Sequence, residues 1–129
     1  MRKVIRTTDA PRASQVYSQA IVSDGFVFLT GQISANPKTN ELELGDIKAE
    51  TRRALMNMQA VLQAAGSSMR DVVRVGVFLA DLNDAAAMNE VYKEFFPENP
   101  PARTTVGVKL PKFKIEMDCI ARVRKRKKA

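Results

Sequence analysis

Apolar and small residues recur at three- and four-residue intervals in the first half of the chain. Ile47, Thr51, Ala54, Leu55, Met58, Val61, Leu62 and Ala65 fall on one stripe. That period predicts an α-helix with one face against a core. Asp46 stands just before the stripe, where a carboxylate can accept from the free amides of the first turn. Gly66 follows it, at the position of a left-handed C-cap. A shorter stripe, Met88, Val91, Tyr92 and Phe95, predicts a second helix, with Asn83 or Asp84 as its cap and an end before Pro97.

Elsewhere the period drops to two. Residues 3–6, 18–22 and 26–30 read as three strands, the last two joined by a turn at Ser23-Asp24-Gly25, and Gly31 is expected to end the third. Residues 36–40 carry the turn chemistry of a surface loop. Residues 72–79 are rich in β-branched side chains and read as a buried strand, and residues 98–102 form a proline-rich loop. Residues 103–110 and 115–123 read as a closing hairpin in which Leu110 faces Ile115. That register puts Thr104, Val106, Val108 and Leu110 on one side together with Ile115, Met117, Cys119, Ala121 and Val123, and this side should receive the helices. Arg103, Thr105, Gly107, Lys109, Glu116, Asp118 and Ile120 would share the opposite side. The order β-β-β-α-β-α-β-β is satisfied by an α+β fold, a mixed sheet with two helices on one face. The uncovered face, part polar and part apolar, is of the kind that meets another subunit or surrounds a shared cavity.

With 129 residues, the chain suits one domain, expected over residues 1–123. It has no apolar run near the roughly 18 residues of a membrane span, and its lone Cys119 makes a cytoplasmic location the default. There is no histidine, which excludes Ser-His-Asp and Cys-His machinery and every His-containing zinc site. The glycines are scattered singly, so no phosphate loop is present. No metal and no cofactor is expected. The net charge is +7, but Arg124, Lys125, Arg126, Lys127 and Lys128 supply five of those charges and leave the body at +2 (7 − 5). Residues 124–129 therefore read as a basic tail, and any nucleic-acid affinity should come from it.

Several segments, taken in order, carry a family resemblance. They are Tyr17-Ser18-Gln19-Ala20, Thr30-Gly31-Gln32-Ile33, Asn89-Glu90-Val91-Tyr92-Lys93-Glu94-Phe95-Phe96, Pro101-Ala102-Arg103-Thr104-Thr105-Val106-Gly107-Val108 with Leu110-Pro111, and Ile115-Glu116-Met117-Asp118. Spread over residues 8–121, they resemble the RidA/YjgF family. The resemblance implies a chorismate-mutase-like fold and a homotrimer whose sheets enclose a central barrel. It also implies active sites in the clefts between subunits, where reactive 2-imino acids released by pyridoxal-phosphate enzymes are hydrolysed to 2-keto acids and ammonia. Gln15-Val16 stands where the family usually has Gly-Pro, and the loop around residues 111–114 is shorter than in many relatives.

The residues suit that chemistry. Arg103 offers a planar fork to a carboxylate and stays protonated in essentially any site. Glu116, at the family's acidic position, can orient and deprotonate water. Gly31 lets a ligand approach backbone amides. Thr105 shares the face of Arg103, Tyr17 can cover a pocket, and Asn89 lies early on the second helix. In the hairpin register Glu116 lies beside Lys109, six residues or roughly 20 Å from Arg103. The two would meet one substrate only across a subunit boundary. Two other classes compete with this reading: a non-catalytic metabolite-binding or chaperone-like trimer, and an RNA-binding or endoribonuclease-type translation inhibitor.

Overall fold

The computed structural model describes residues 2–124. The long stripe forms helix α1 (Ile47–Ala64) and buries Ile47, Thr51, Ala54, Leu55, Met58, Val61 and Leu62. Asp46 caps it, accepting from the Ala49 amide at 2.8 Å, and Gly66 takes a φ of +80° just past its end. Helix α2 (Ala85–Phe95) buries Met88, Val91 and Tyr92. Neither Asn83 nor Asp84 caps it through its side chain. A 3-10 turn (Leu82–Asp84) precedes the helix, and Asp81 caps that turn instead, accepting from the Asn83 amide at 2.9 Å.

The strands are β1 (Lys3–Ile5), β2 (Ala20–Ser23), β3 (Phe26–Gln32), β4 (Val72–Leu79), β5 (Ala102–Gly107) and β6 (Ile115–Arg122). They form one mixed sheet in the order β1-β2-β3-β6-β4-β5. The elements follow one another as their sequence periods predict, and both helices lie against one face of the sheet. Asp24 and Gly25, with φ of +51° and +80°, make the β2–β3 turn. Gly31 does not end β3; the strand runs on to Gln32 through a register shift between Leu29 and Gln32.

The closing hairpin does not exist. β5 pairs in parallel with β4 at the sheet edge, and β6 inserts between β3 and β4, antiparallel to both. A parallel neighbour needs a crossover, and α2 provides it between β4 and β5. The predicted faces change accordingly. In β6 the inward side holds Ile115, Met117, Cys119 and Ala121, all buried. In β5 the assignment is inverted: Arg103 lies beside Val75, Thr105 beside Val77 and Gly107 beside Leu79, which places these three on the helix side. Thr104 and Val106 point to the open face. Alternation tells which residues share a side, but not which strand lies next door.

Among the buried polar side chains of the described residues, one is a carboxylate. Glu50, on α1, has no exposure. Its carboxylate accepts from Ser34 Oγ (3.3 Å), the Gly45 amide (3.2 Å) and the Lys114 amide (2.8 Å), and pairs with Lys114 Nζ (3.4 Å). It thereby ties the β3–α1 connection and the start of β6 to the helix. Glu50→Ala would leave two inward-turned amides without acceptors, so it is expected to cost about 3 kcal/mol in urea unfolding.

The open face carries Phe26, Phe28 and Val106, each more than a third exposed. Among the described residues no helix is long and apolar enough to cross a membrane. Arg124, grouped with the basic tail by composition, pairs with Asp71 at 3.0 Å. The remainder of that tail, residues 125–129, lies outside the described residues.

Candidate active site

Parallel pairing with β4 sets Arg103 at the sheet edge, turned toward α2. Asn89 and Tyr92 are three residues apart on that helix and so neighbours on its surface. Arg103 Nη1 donates to Asn89 Oδ1 at 2.7 Å. The guanidinium carbon lies 4.7 Å from the centre of the Tyr92 ring, within cation–π range. Arg103 has no ion-pair partner among the described residues. Two neutral groups hold it, so its charge is uncompensated and most of its fork is free. Thr105 follows on the same side, half-buried. Tyr92 is buried, and burial pushes its phenol up to about 12 against the opposing influence of Arg103.

Gly31, Tyr17 and Glu116 gather elsewhere. The Gln19 side chain is buried and grips the N-terminal arm, accepting from the Thr7 amide (2.7 Å) and donating to the Thr7 (3.1 Å) and Pro11 (2.8 Å) carbonyls. The arm thus borders a small cleft of about 190 Å³ whose walls include Arg12, Tyr17, Thr30, Gly31 and Asn40. Tyr17 is half exposed at its mouth. Asn57 on α1 fixes another wall by donating to the Ile33 (3.0 Å) and Ala35 (2.8 Å) carbonyls.

Glu116 projects from the open face of β6, and its carboxylate lies where a side chain at position 31 would stand. A Cβ on Gly31 would overlap Glu116 Oε2. Asp118, two residues on, lies over Gly76 in the same way. Burial, and then the neighbouring Asp118 charge, raise the Glu116 carboxyl above its ordinary value. Gly31→Ala should therefore displace Glu116, and loss of activity with an unchanged unfolding temperature is the expected result.

The six sequence-assigned residues form two groups within one chain. Arg103, Asn89 and Thr105 occupy the β5 edge on the helix side; Tyr17, Gly31 and Glu116 cluster around β3 and β6, with Glu116 on the open face. Glu116 is beside Phe78 and Arg103 beside Val75. Two strand spacings sideways and three residues along β4 separate them by roughly 14 Å at Cα, on opposite sides of the sheet. Lys109 lies past the end of β5 and does not face Glu116. The hairpin distance is replaced by a different obstacle with the same consequence: no small molecule can touch both groups in one chain.

Sequence reading missed Tyr92 as a partner of Arg103, because its place in the apolar stripe assigned it to the core. The signal was present in its spacing from Asn89. Cys119 is buried and its thiol is pushed up to about 12 by burial, which makes it part of the packing and a poor nucleophile.

A six-stranded mixed sheet backed by two helices, with an uncompensated edge arginine and a carboxylate over a glycine, defines a recognisable class. The family model described as Endoribonuclease L-PSP matches residues 7–123. A RutC family protein from Pyrococcus horikoshii is 51% identical over 94% of this chain and 98% of its own length. The human 2-iminobutanoate/2-iminopropanoate deaminase is 42% identical over 94% of this chain and 90% of that protein. The crystal structure of E. coli TdcF with bound serine matches with a TM-score of 0.88 and 41% identity, covering 95% of this chain and 99% of that one. The chain belongs to the L-PSP family, the RidA/YjgF group of the sequence resemblance.

Proposed function

We propose that this protein hydrolyses small 2-imino acids to 2-keto acids and ammonia, at sites that neighbouring chains of a homotrimer build together. The observation that carries this reading is the state of Arg103. An arginine kept at a sheet edge by an amide and an aromatic face, with no carboxylate partner among the described residues, is prepared to receive one from a ligand. The human deaminase relative and the serine-bound relative both fit a ligand built on a carboxylate and an α-nitrogen.

In this reading the substrate carboxylate docks on Arg103, with Thr105 and Asn89 beside it, while a second chain presents Gly31, Tyr17 and Glu116. Anchoring the carboxylate fixes the position of the imine carbon. Glu116 takes a proton from water as the oxygen adds to that carbon. That proton passes to the nitrogen, which takes the C=N electron pair, giving a tetrahedral carbon that carries a hydroxyl and an amine. The hydroxyl proton then moves by way of Glu116 to the nitrogen as the C–N bond breaks, so the C=O of the keto acid forms and ammonia leaves with both protons of the water. The exposed Phe26, Phe28 and Val106 give the open face apolar surface for contact between chains. No cofactor enters the scheme.

The test couples the protein to a serine or threonine dehydratase that releases the imine. Keto-acid release should accelerate severalfold over the dehydratase alone, with the protein running as a trimer in size-exclusion chromatography. Binding of 2-ketobutyrate without acceleration would mark a carboxylate sensor instead. A monomer with full activity would refute the shared site.

A further inference from the structure

Arg103 rests on a ring that is itself fixed. Tyr92 is 6% exposed, and its ring centre lies 4.7 Å from that of Phe96 at an interplanar angle of 42°. Its hydroxyl is buried and makes no hydrogen bond of acceptable geometry among the described residues, although the Arg103 guanidinium lies near enough to act on it through its charge and as a weak donor. An unpaired buried hydroxyl costs free energy, so hydrogen bonding by that group does not explain the tyrosine. What the ring does offer is its face, and the face is occupied by the Arg103 guanidinium.

We infer that Tyr92 is a positioning residue for the carboxylate anchor: its ring, with Asn89, fixes the orientation of the Arg103 fork while leaving the positive charge unneutralised. The inference rests on Arg103 being the carboxylate anchor, as in the function proposed above. A carboxylate in place of Tyr92 or Asn89 would orient the guanidinium equally well, but it would occupy the fork and cancel the charge that must attract the ligand. A flexible, unsupported arginine would lose side-chain freedom on every binding event. A ring held rigidly by core packing avoids both penalties. The phenol stays neutral through the physiological range, because burial raises it, so no negative charge develops beside Arg103.

The test compares wild type with Tyr92→Met, which fills the space without a π face, and Tyr92→Phe, which keeps the ring and drops the unpaired hydroxyl. Calorimetric affinity for 2-ketobutyrate should fall about tenfold in Tyr92→Met, the scale of a partly desolvated cation–π contact. It should be restored in Tyr92→Phe. Affinity for the uncharged 2-oxobutanamide, a probe that Arg103 grips less strongly, should change less than twofold in either variant. In turnover, KM should rise more than kcat falls. If Tyr92→Met does not fold, the wild-type protein decides: ring-current shielding should move the Arg103 Nε–H resonance upfield. Equal 2-ketobutyrate affinity in Tyr92→Met and wild type, equal losses for the acid and the amide, or an unshielded Arg103 resonance would each overturn the assignment. Binding and resonance do not require turnover, so an absence of imine hydrolysis would strike the proposed activity and leave this test standing.

Discussion

Arg103→Ala and Glu116→Gln should each be almost inactive alone, and together they should recover about a quarter of wild-type activity. The single losses follow from the roles assigned. Removing the guanidinium leaves the substrate carboxylate without its anchor and the imine carbon unplaced. A fall in kcat/KM of about 10²–10³ is expected, most of it surviving in Arg103→Lys because a point charge does not reproduce the fork. Removing the base should cost about 10²–10⁴. Recovery follows from the sheet. Arg103 and Glu116 lie on opposite faces of their own chain, so in the shared site proposed above each substrate would draw one of them from either side of a subunit boundary. In trimers assembled at random from equal amounts of the two variants, roughly one site in four joins an intact Arg103 to an intact Glu116. Co-refolded mixtures should therefore hydrolyse the imine, while the same variants assembled separately and then combined should not. Inactive co-refolded trimers would mean that the two groups do not serve one substrate.

How much of this was readable from residue order depends on the range of the interaction. Asp46, Gly66 and the α1 stripe were legible because caps and periods are local, and the structure has them where the pattern puts them. The face of β6 was legible for the same reason. The neighbour of β6 was not. Leu110 and Ile115 are close enough in sequence to suggest a hairpin, yet β6 is the strand with the most regular inward apolar row and takes a central place between β3 and β4, displacing β5 to the edge. That choice is settled by the summed burial of the whole sheet. The site divides along the same line. Arg103, Asn89, Gly31, Tyr17, Thr105 and Glu116 could be named from their motifs, but the partnership of Arg103 with Tyr92 and the seating of Glu116 over Gly31 depend on strand order. So does Glu50, whose buried carboxylate joins segments 64 residues apart.

The Glu116 carboxyl gives the second large effect, and it links activity to stability in opposite directions. In the proposed mechanism its ionised form is the base, and burial followed by the Asp118 charge raises its pKa in the folded chain. Activity should thus disappear as pH falls through a value above the ordinary carboxylate range. In Asp118→Asn this acid limb should move to lower pH, because one of the two causes is gone, yet stay above the ordinary range, because burial remains the larger cause. The stability consequence has a definite sign. A carboxyl whose folded pKa exceeds its unfolded one favours the folded state most below the unfolded value, and that advantage is lost as pH rises through the folded value. At neutral pH the ionised Glu116 therefore sits at a cost. Glu116→Gln should melt at a higher temperature than wild type at pH 7, and this advantage should vanish at pH values below the unfolded carboxyl range, while its activity is lost at every pH. A carboxylate that weakens the fold in its ionised state is a candidate for a group kept for chemistry, as the proposed mechanism requires. Equal melting temperatures for the two proteins at pH 7, together with an acid limb unmoved by Asp118→Asn, would show that Glu116 is an ordinary exposed carboxylate and remove it from the mechanism.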